Sequence, residues 1–84
     1  MPSATYLFNI DNISDAYALE IFKDVYKILE ERGYNPVNQL VGYLMSGDPG
    51  YISNYKEARN KIVKIDRSKI LEILIKEYMK IWEY

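Results

Sequence analysis

The chain has no cysteine and no histidine. The first absence excludes disulfides and thiolate metal sites. Together they exclude thiol nucleophiles, imidazole bases and the usual catalytic triads. Glycine is sparse, and Gly42, Gly47 and Gly50 fall in neither a GxGxxG nor a GxxxxGK pattern, so no phosphate-cradling loop is present. The carboxylates do not line up as a calcium loop. Adjacent pairs such as Glu30-Glu31 point apart on a helix. No apolar run approaches the ~20 residues that span a bilayer. The opening MPSATYLFNIDN lacks the basic and apolar regions of a signal peptide. These absences point away from an enzyme, a cofactor, a metal site and membrane insertion. Zero cysteine also fits a reducing, cytoplasmic setting.

What is present fits one domain of 84 residues. For a mass of 9.9 kDa, folding hides roughly 64% of the unfolded chain's surface. Such a core is marginal. With disulfides and thiolate metal sites excluded, a partner chain is the expected source of further burial. Net charge is −1, which argues against non-specific nucleic-acid or membrane-surface binding. The charge is uneven. Acids outnumber bases over residues 1–33. Over 56–69 the order reverses, with Lys56, Arg59, Lys61, Lys64, Arg67 and Lys69 against Glu57 and Asp66.

Apolar periodicity predicts an all-α fold: a compact bundle of about five short helices with an extended N-terminal arm. Residues 1–12 form the arm and 13–84 a single helical domain. The alternation Tyr6-Leu7-Phe8-Asn9-Ile10 suggests an extended segment that docks in part, with residues 1–4 mobile. A first helix is expected over 14–32, capped by Asn12 or Ser14. Its inner stripe is Ala18, Phe22, Val25 and Leu29, and Gly33 stops it. A second helix over 36–45 starts at the Asn35 cap with Pro36 at its first position. Val37, Leu40, Val41 and Leu44 have the spacing of its buried face, leaving Asn38, Gln39 and Tyr43 outward. Asp48-Pro49 repeats the start signal for one turn through Ile52. A fourth helix is expected over 54–64, capped by Ser53 or Asn54, with Tyr55, Ala58, Ile62 and Ile65 inward. A fifth runs from Asp66 to about 82. It carries two apolar stripes, one of Leu71, Leu74, Ile75, Tyr78 and Trp82 and one of Ile70, Ile73 and Ile81. A surface helix of a monomer needs one. The second stripe suggests a homodimer, and a central helix wrapped by its own chain is the alternative.

Three features could carry function. The basic 56–69 segment reads either as a solvated helix face or as a phosphate or partner site built from Lys56, Arg59, Lys61, Lys64 and Arg67. The nine tyrosines suit core rims and interfaces, and Tyr34, Tyr43 and Tyr51 flank the 33–52 segment. Thr5 is the only threonine. Phosphate there would add about −1.5 to −2 charge and could dock on the basic segment. A helix-turn-helix reading of the first two helices would make the chain a nucleic-acid-binding module. The second helix, however, offers no lysine or arginine for phosphate contacts.

The run Gly33-Tyr34-Asn35-Pro36-Val37-Asn38-Gln39-Leu40-Val41-Gly42-Tyr43-Leu44-Met45-Ser46-Gly47-Asp48-Pro49-Gly50-Tyr51-Ile52, continued by Ala58-Arg59, Ile62, Asp66-Arg67 and Tyr78, resembles the signature of the IreB family, also called ReoM. The resemblance covers nearly the whole chain. It implies a small helical, homodimeric, cytoplasmic phosphoprotein of Gram-positive bacteria. It implies as partners a Ser/Thr kinase with extracellular PASTA repeats and a cognate phosphatase. The implied role is cell-wall homeostasis and antibiotic tolerance, in some members through a Clp protease or adaptor acting on a peptidoglycan-precursor enzyme. The family's phosphothreonine lies in an N-terminal arm before apolar and aromatic residues and an asparagine, a pattern matched by Thr5-Tyr6-Leu7-Phe8-Asn9. Asn35, Pro36, Asn38, Gln39, Asp48 and Pro49 join Tyr34, Tyr43 and Tyr51 as signature and partner-rim residues. Departures fall at Gly50, Ser53-Asn54-Tyr55, Val63, Ser68-Lys69 and Ile73, the last of which would add to a dimer stripe. They leave room for a divergent paralogue with a different client.

Overall fold

The computed structural model describes the backbone of residues 10–82 and the side chains of 14–82. Four α-helices and two 3₁₀ turns follow in order: α1 (Ile10–Arg32), α2 (Pro36–Ser46), turns at Pro49–Tyr51 and Tyr55–Glu57, α3 (Ala58–Ile62) and α4 (Arg67–Lys80). The described residues contain no strand, as an all-α fold requires. Thr5 and the extended reading of Tyr6–Asn9 lie outside the described residues.

α1 starts at Ile10, earlier than the expected 14, so Asn12 and Ser14 lie within the helix instead of capping it. Neither residue is a strong breaker, so the helix can continue through both. Its C-terminus ends as the sequence suggests. Gly33 adopts φ 92°, with Tyr34 N–H donating to the Leu29 carbonyl and Gly33 N–H to that of Glu30, both at 3.0 Å. This pair of bonds is the Schellman arrangement, open to glycine because it has no Cβ.

The core gathers Ala18, Val25, Ile28 and Leu29 of α1 with Leu40 and Tyr43 of α2, Ile52, Ala58 and Ile62 of α3, Ile65, and Ile70 and Ile73 of α4. α1 is the central element, packed by α2, α3 and α4. Two expectations fail on α2. Val37 and Val41 are 54% and 47% exposed, and Tyr43, expected outward, is only 5% exposed. The helix is rotated so that the large tyrosine ring enters the core with Leu40 and the two valines face outward.

The expected helix over 54–64 is broken. Lys56 and Glu57 take left-handed φ values of 49° and 66°, separating the Tyr55–Glu57 turn from the short α3. Ser53 rather than Asn54 supplies the side-chain bond at this start, its Oγ accepting from Tyr55 N–H at 3.3 Å. After the reversal Ala58 and Ile62 are fully buried and Tyr55 is half-buried, so the expected inner face survives the break.

α4 separates its two stripes. Ile70 and Ile73 are buried and Leu74 packs partly against the core. Ile73 is therefore a core residue and adds nothing to an outer face. Ile81, expected beside them, is 66% exposed. Leu71, Ile75, Tyr78 and Trp82 lie on the opposite face by the 3.6-residue period and are 45% to 65% exposed.

Candidate functional site: two contact faces on a charge-paired frame

The signature segment is held by its own polar residues. Asn35 Oδ1 accepts from Asn38 N–H at 3.1 Å, capping α2, and Pro36 follows at the position where a missing N–H costs nothing. Gly47, φ 77°, donates to the Tyr43 carbonyl at 2.7 Å and closes the helix. Asp48 Oδ1 accepts from Gly50 N–H at 2.8 Å and begins the turn at Pro49. That turn lays the Tyr51 ring on Gly42, where an added Cβ would stand 2.5 Å from a ring carbon. Gln39 Oε1 accepts from Ser53 N–H at 2.9 Å and ties the returning chain to α2. Asn35, Pro36, Gln39, Gly42, Asp48 and Pro49 thus shape the segment. Its outward surface is made by Val37, Val41 and Met45 at i, i+4, i+8, the last 82% exposed, with Tyr34 and Tyr51 nearby in sequence at 39% and 52%. Between Gly33 and Tyr55 the only charged residue is Asp48. Depletion of charge with exposed aromatic and methionine side chains is the composition of an interface centre.

The five basic candidates do not converge on one point. Lys56 pairs with Glu31 at 3.0 Å and Lys61 with Asp24 at 2.7 Å, both fastening the turn and α3 to α1. The Glu31 hydrogen bond holds the Lys56 ammonium above its ordinary pKa. Arg59 Nε donates to the Ile52 carbonyl at 2.8 Å. Arg67 donates to the Leu44 carbonyl at 3.1 Å and lies against Gly47, 2.7 Å from where a Cβ would be. Both arginines therefore satisfy carbonyls where elements of the signature segment end, Leu44 in the last turn of α2 and Ile52 after the Pro49–Tyr51 turn. Lys64 is exposed and borders a shallow depression with Ser14, Tyr17 and Lys69.

One cluster escaped the sequence reading. Asp15 of α1 meets Lys69 at 2.8 Å and Lys76 at 3.4 Å, and Lys76 also holds Glu72 at 2.6 Å. The Lys69 hydrogen bond is the main cause that keeps the Asp15 carboxyl below its usual range, opposed by burial and helped by the weaker Lys76 bond. Lys76 draws Glu72 down in the same way. The i,i+4 spacing of Glu72 and Lys76 was legible. The link to Asp15, 54 residues from Lys69, was not.

The third surface is the outer stripe of α4, where the Tyr78 and Trp82 rings lie 6.1 Å apart. Among the described residues no group of three or more metal-ligating side chains gathers. Among the same residues no helix is long and apolar enough to cross a membrane.

An ion-paired helical frame with two uncharged apolar faces defines a class: a small all-helical protein that leaves apolar side chains exposed on two faces. Residues 3–80 match the model of the IreB regulatory phosphoprotein family. A UPF0297 protein of Ruminiclostridium cellulolyticum is 46% identical over 76 residues, covering 90% of this chain and 86% of that protein. The chain belongs to the IreB family, and its role is regulatory.

Proposed function

We propose that the chain is a cytoplasmic homodimer switched by phosphorylation of Thr5 by a PASTA-type Ser/Thr kinase and reset by the cognate phosphatase. Through protein contacts it modulates peptidoglycan homeostasis, with a Clp protease or adaptor and a peptidoglycan-precursor enzyme as partners. The observation that carries this reading is the match to a phosphoprotein family over residues 3–80, a span that includes the chain's only threonine. The outer stripe of α4 supports the dimer, because Leu71, Ile75, Tyr78 and Trp82 form a row that a lone chain leaves in water. The Val37–Val41–Met45 face is then available to a client.

Incubation with a PASTA-type kinase domain, followed by intact mass and peptide mapping, tests the switch. One phosphate on Thr5 is expected. An unmodified chain, or phosphate only elsewhere, overturns it. Sedimentation tests the dimer separately: Leu71→Glu with Ile75→Glu should convert a dimer to a folded monomer. A wild-type chain that sediments as a monomer at micromolar concentration overturns that part.

A further inference from the structure

We propose that Arg32, held by the rings of Tyr34 and Tyr55, is a carboxylate-binding site that takes an aspartate or glutamate side chain of a partner protein at the Val37 end of the α2 face. The arginines of the chain are used differently. Arg59 and Arg67 donate to the Ile52 and Leu44 carbonyls. The Arg32 side chain donates to no group among the described residues. Its guanidinium carbon instead stands 5.8 Å from the Tyr34 ring centroid and 5.6 Å from that of Tyr55. The end of α1 does not need it, because the Gly33 and Tyr34 N–H groups already engage the Glu30 and Leu29 carbonyls. An arginine over aromatic faces keeps its N–H fork for a further partner, and that fork matches a carboxylate through two parallel bonds.

Tyr55 reaches Arg32 from a turn in which Lys56 and Glu57 hold φ 49° and 66°, a region that neither residue favours. Backbone strain of this kind gathers at binding sites. The same turn sets the Lys56 ammonium 5.6 Å from the Tyr55 centroid and 3.0 Å from Glu31. Lys56 and Glu31 match each other, which leaves the Arg32 charge of this cluster without a counterion among the described residues. A monoanion meets it. A phosphate dianion would be neutralised only by drawing Lys56 away from Glu31.

Position gives the partner its second property. Tyr34 belongs to the cluster and precedes Val37 by at most about 11 Å of chain, whereas Met45 lies about 12 Å beyond Val37 along α2. Val37 and Val41 are exposed, and no charged residue intervenes between Arg32 and Asp48. A segment with an acidic residue followed by apolar ones is complementary to the cluster and the face together. Use of the face rests on the client reading above, and the carboxylate site rests on the cluster alone.

The test is an NMR titration of the isotope-labelled full chain with the capped peptide Ser-Glu-Ala-Leu-Ala-Leu, and with versions carrying glutamine or phosphoserine in place of the glutamate. The Arg32 Nε–H and the Tyr34 amide are followed. The glutamate peptide should move both saturably and bind at least about tenfold more tightly than the glutamine peptide, a difference of about 1.4 kcal/mol. Arg32→Lys keeps the charge but loses the fork and should remove most of that preference. Tyr55→Leu, which keeps apolar bulk at a half-buried site, should do the same. Lys64→Ala, at an exposed cation outside the cluster, should leave it unchanged. The amide spectrum shows that each variant is folded. Equal binding of the glutamate and glutamine peptides overturns the site, as does an undiminished preference in Arg32→Lys, tighter binding of the phosphoserine peptide, or no shift at Arg32. Val41→Ser separates the two readings. If it weakens both peptides while they bind equally well, the client face stands and the carboxylate site falls.

Discussion

The layer built by α1, α3 and α4 and the segment from Gly33 to Tyr55 use opposite means to hold together. In the first, charges join elements distant in sequence: Glu31 to Lys56, Asp24 to Lys61, Asp15 to Lys69 and Lys76. In the second, with Asp48 its single charge, caps, a glycine-seated ring and one glutamine–backbone bond do the holding. The difference teaches where contact with other molecules costs least. A partner covering the ion-paired surface of the first layer, as distinct from the outer stripe of α4, must strip water from paired ions, an expensive step. A partner covering Val37, Val41 and Met45 displaces water from side chains that gain by leaving it.

The comparison can be tested by substitution, beginning with the shared core. Ile70→Ala, at a fully buried site, should cost about 2–5 kcal/mol. At roughly 4–8 °C per kcal/mol for a domain of this size, that is a large loss by thermal denaturation. Val41→Ser should stay within about 0.5 kcal/mol of wild type, as exposed positions do. A cost for Val41→Ser near that of Ile70→Ala would mean that its face is buried in the isolated protein. Gly47→Ala should lose about 1–2 kcal/mol from the left-handed backbone alone, plus the clash with Arg67. Urea melts of Gly47→Ala with and without Arg67→Ala separate the two, and only the clash should be relieved by the second change. Asn35→Ala should cost about 1 kcal/mol through the lost cap.

Lys61→Ala should cost only about 0.2–1 kcal/mol, and its effect should shrink in high salt, whereas that of Asn35→Ala should not. The smallest effect concerns acid. The Asp15 carboxyl is held below its unfolded value, so its contribution is full above about pH 4, near the unfolded pKa. It is lost as pH falls through the folded value. Melting curves of wild type and Asp15→Asn between pH 6 and 3 should converge towards the acid end.

Where the sequence was informative, a single residue forced the backbone. Gly33, Pro36, Gly47 and Pro49 punctuate the chain where the structure does. Periodicity found the inner residues of α1 and α3. It failed on α2 because Val37–Leu40–Val41–Leu44 and Leu40–Tyr43–Leu44 share two leucines, and only the packing of the rest of the chain decides between valine and tyrosine. It also missed the break at Lys56-Glu57, since neither residue favours a positive φ. The basic segment was legible as a charge excess, but its partners lie on α1 and at backbone carbonyls, and pairing across such distances is a tertiary fact. The two stripes of α4 were visible, while their assignment to inside and outside was not.

The Tyr51–Gly42 stacking and the Gln39–Ser53 bond have a consequence in time. They close loops of 9 and 14 residues, whereas the Asp15–Lys69 and Asp15–Lys76 bonds close loops of 54 and 61. Short closures lose less chain entropy and come first. The signature segment should therefore be an early folding unit on which α4 docks late. In stopped-flow experiments Gln39→Ala should mainly slow folding and Lys69→Ala mainly speed unfolding.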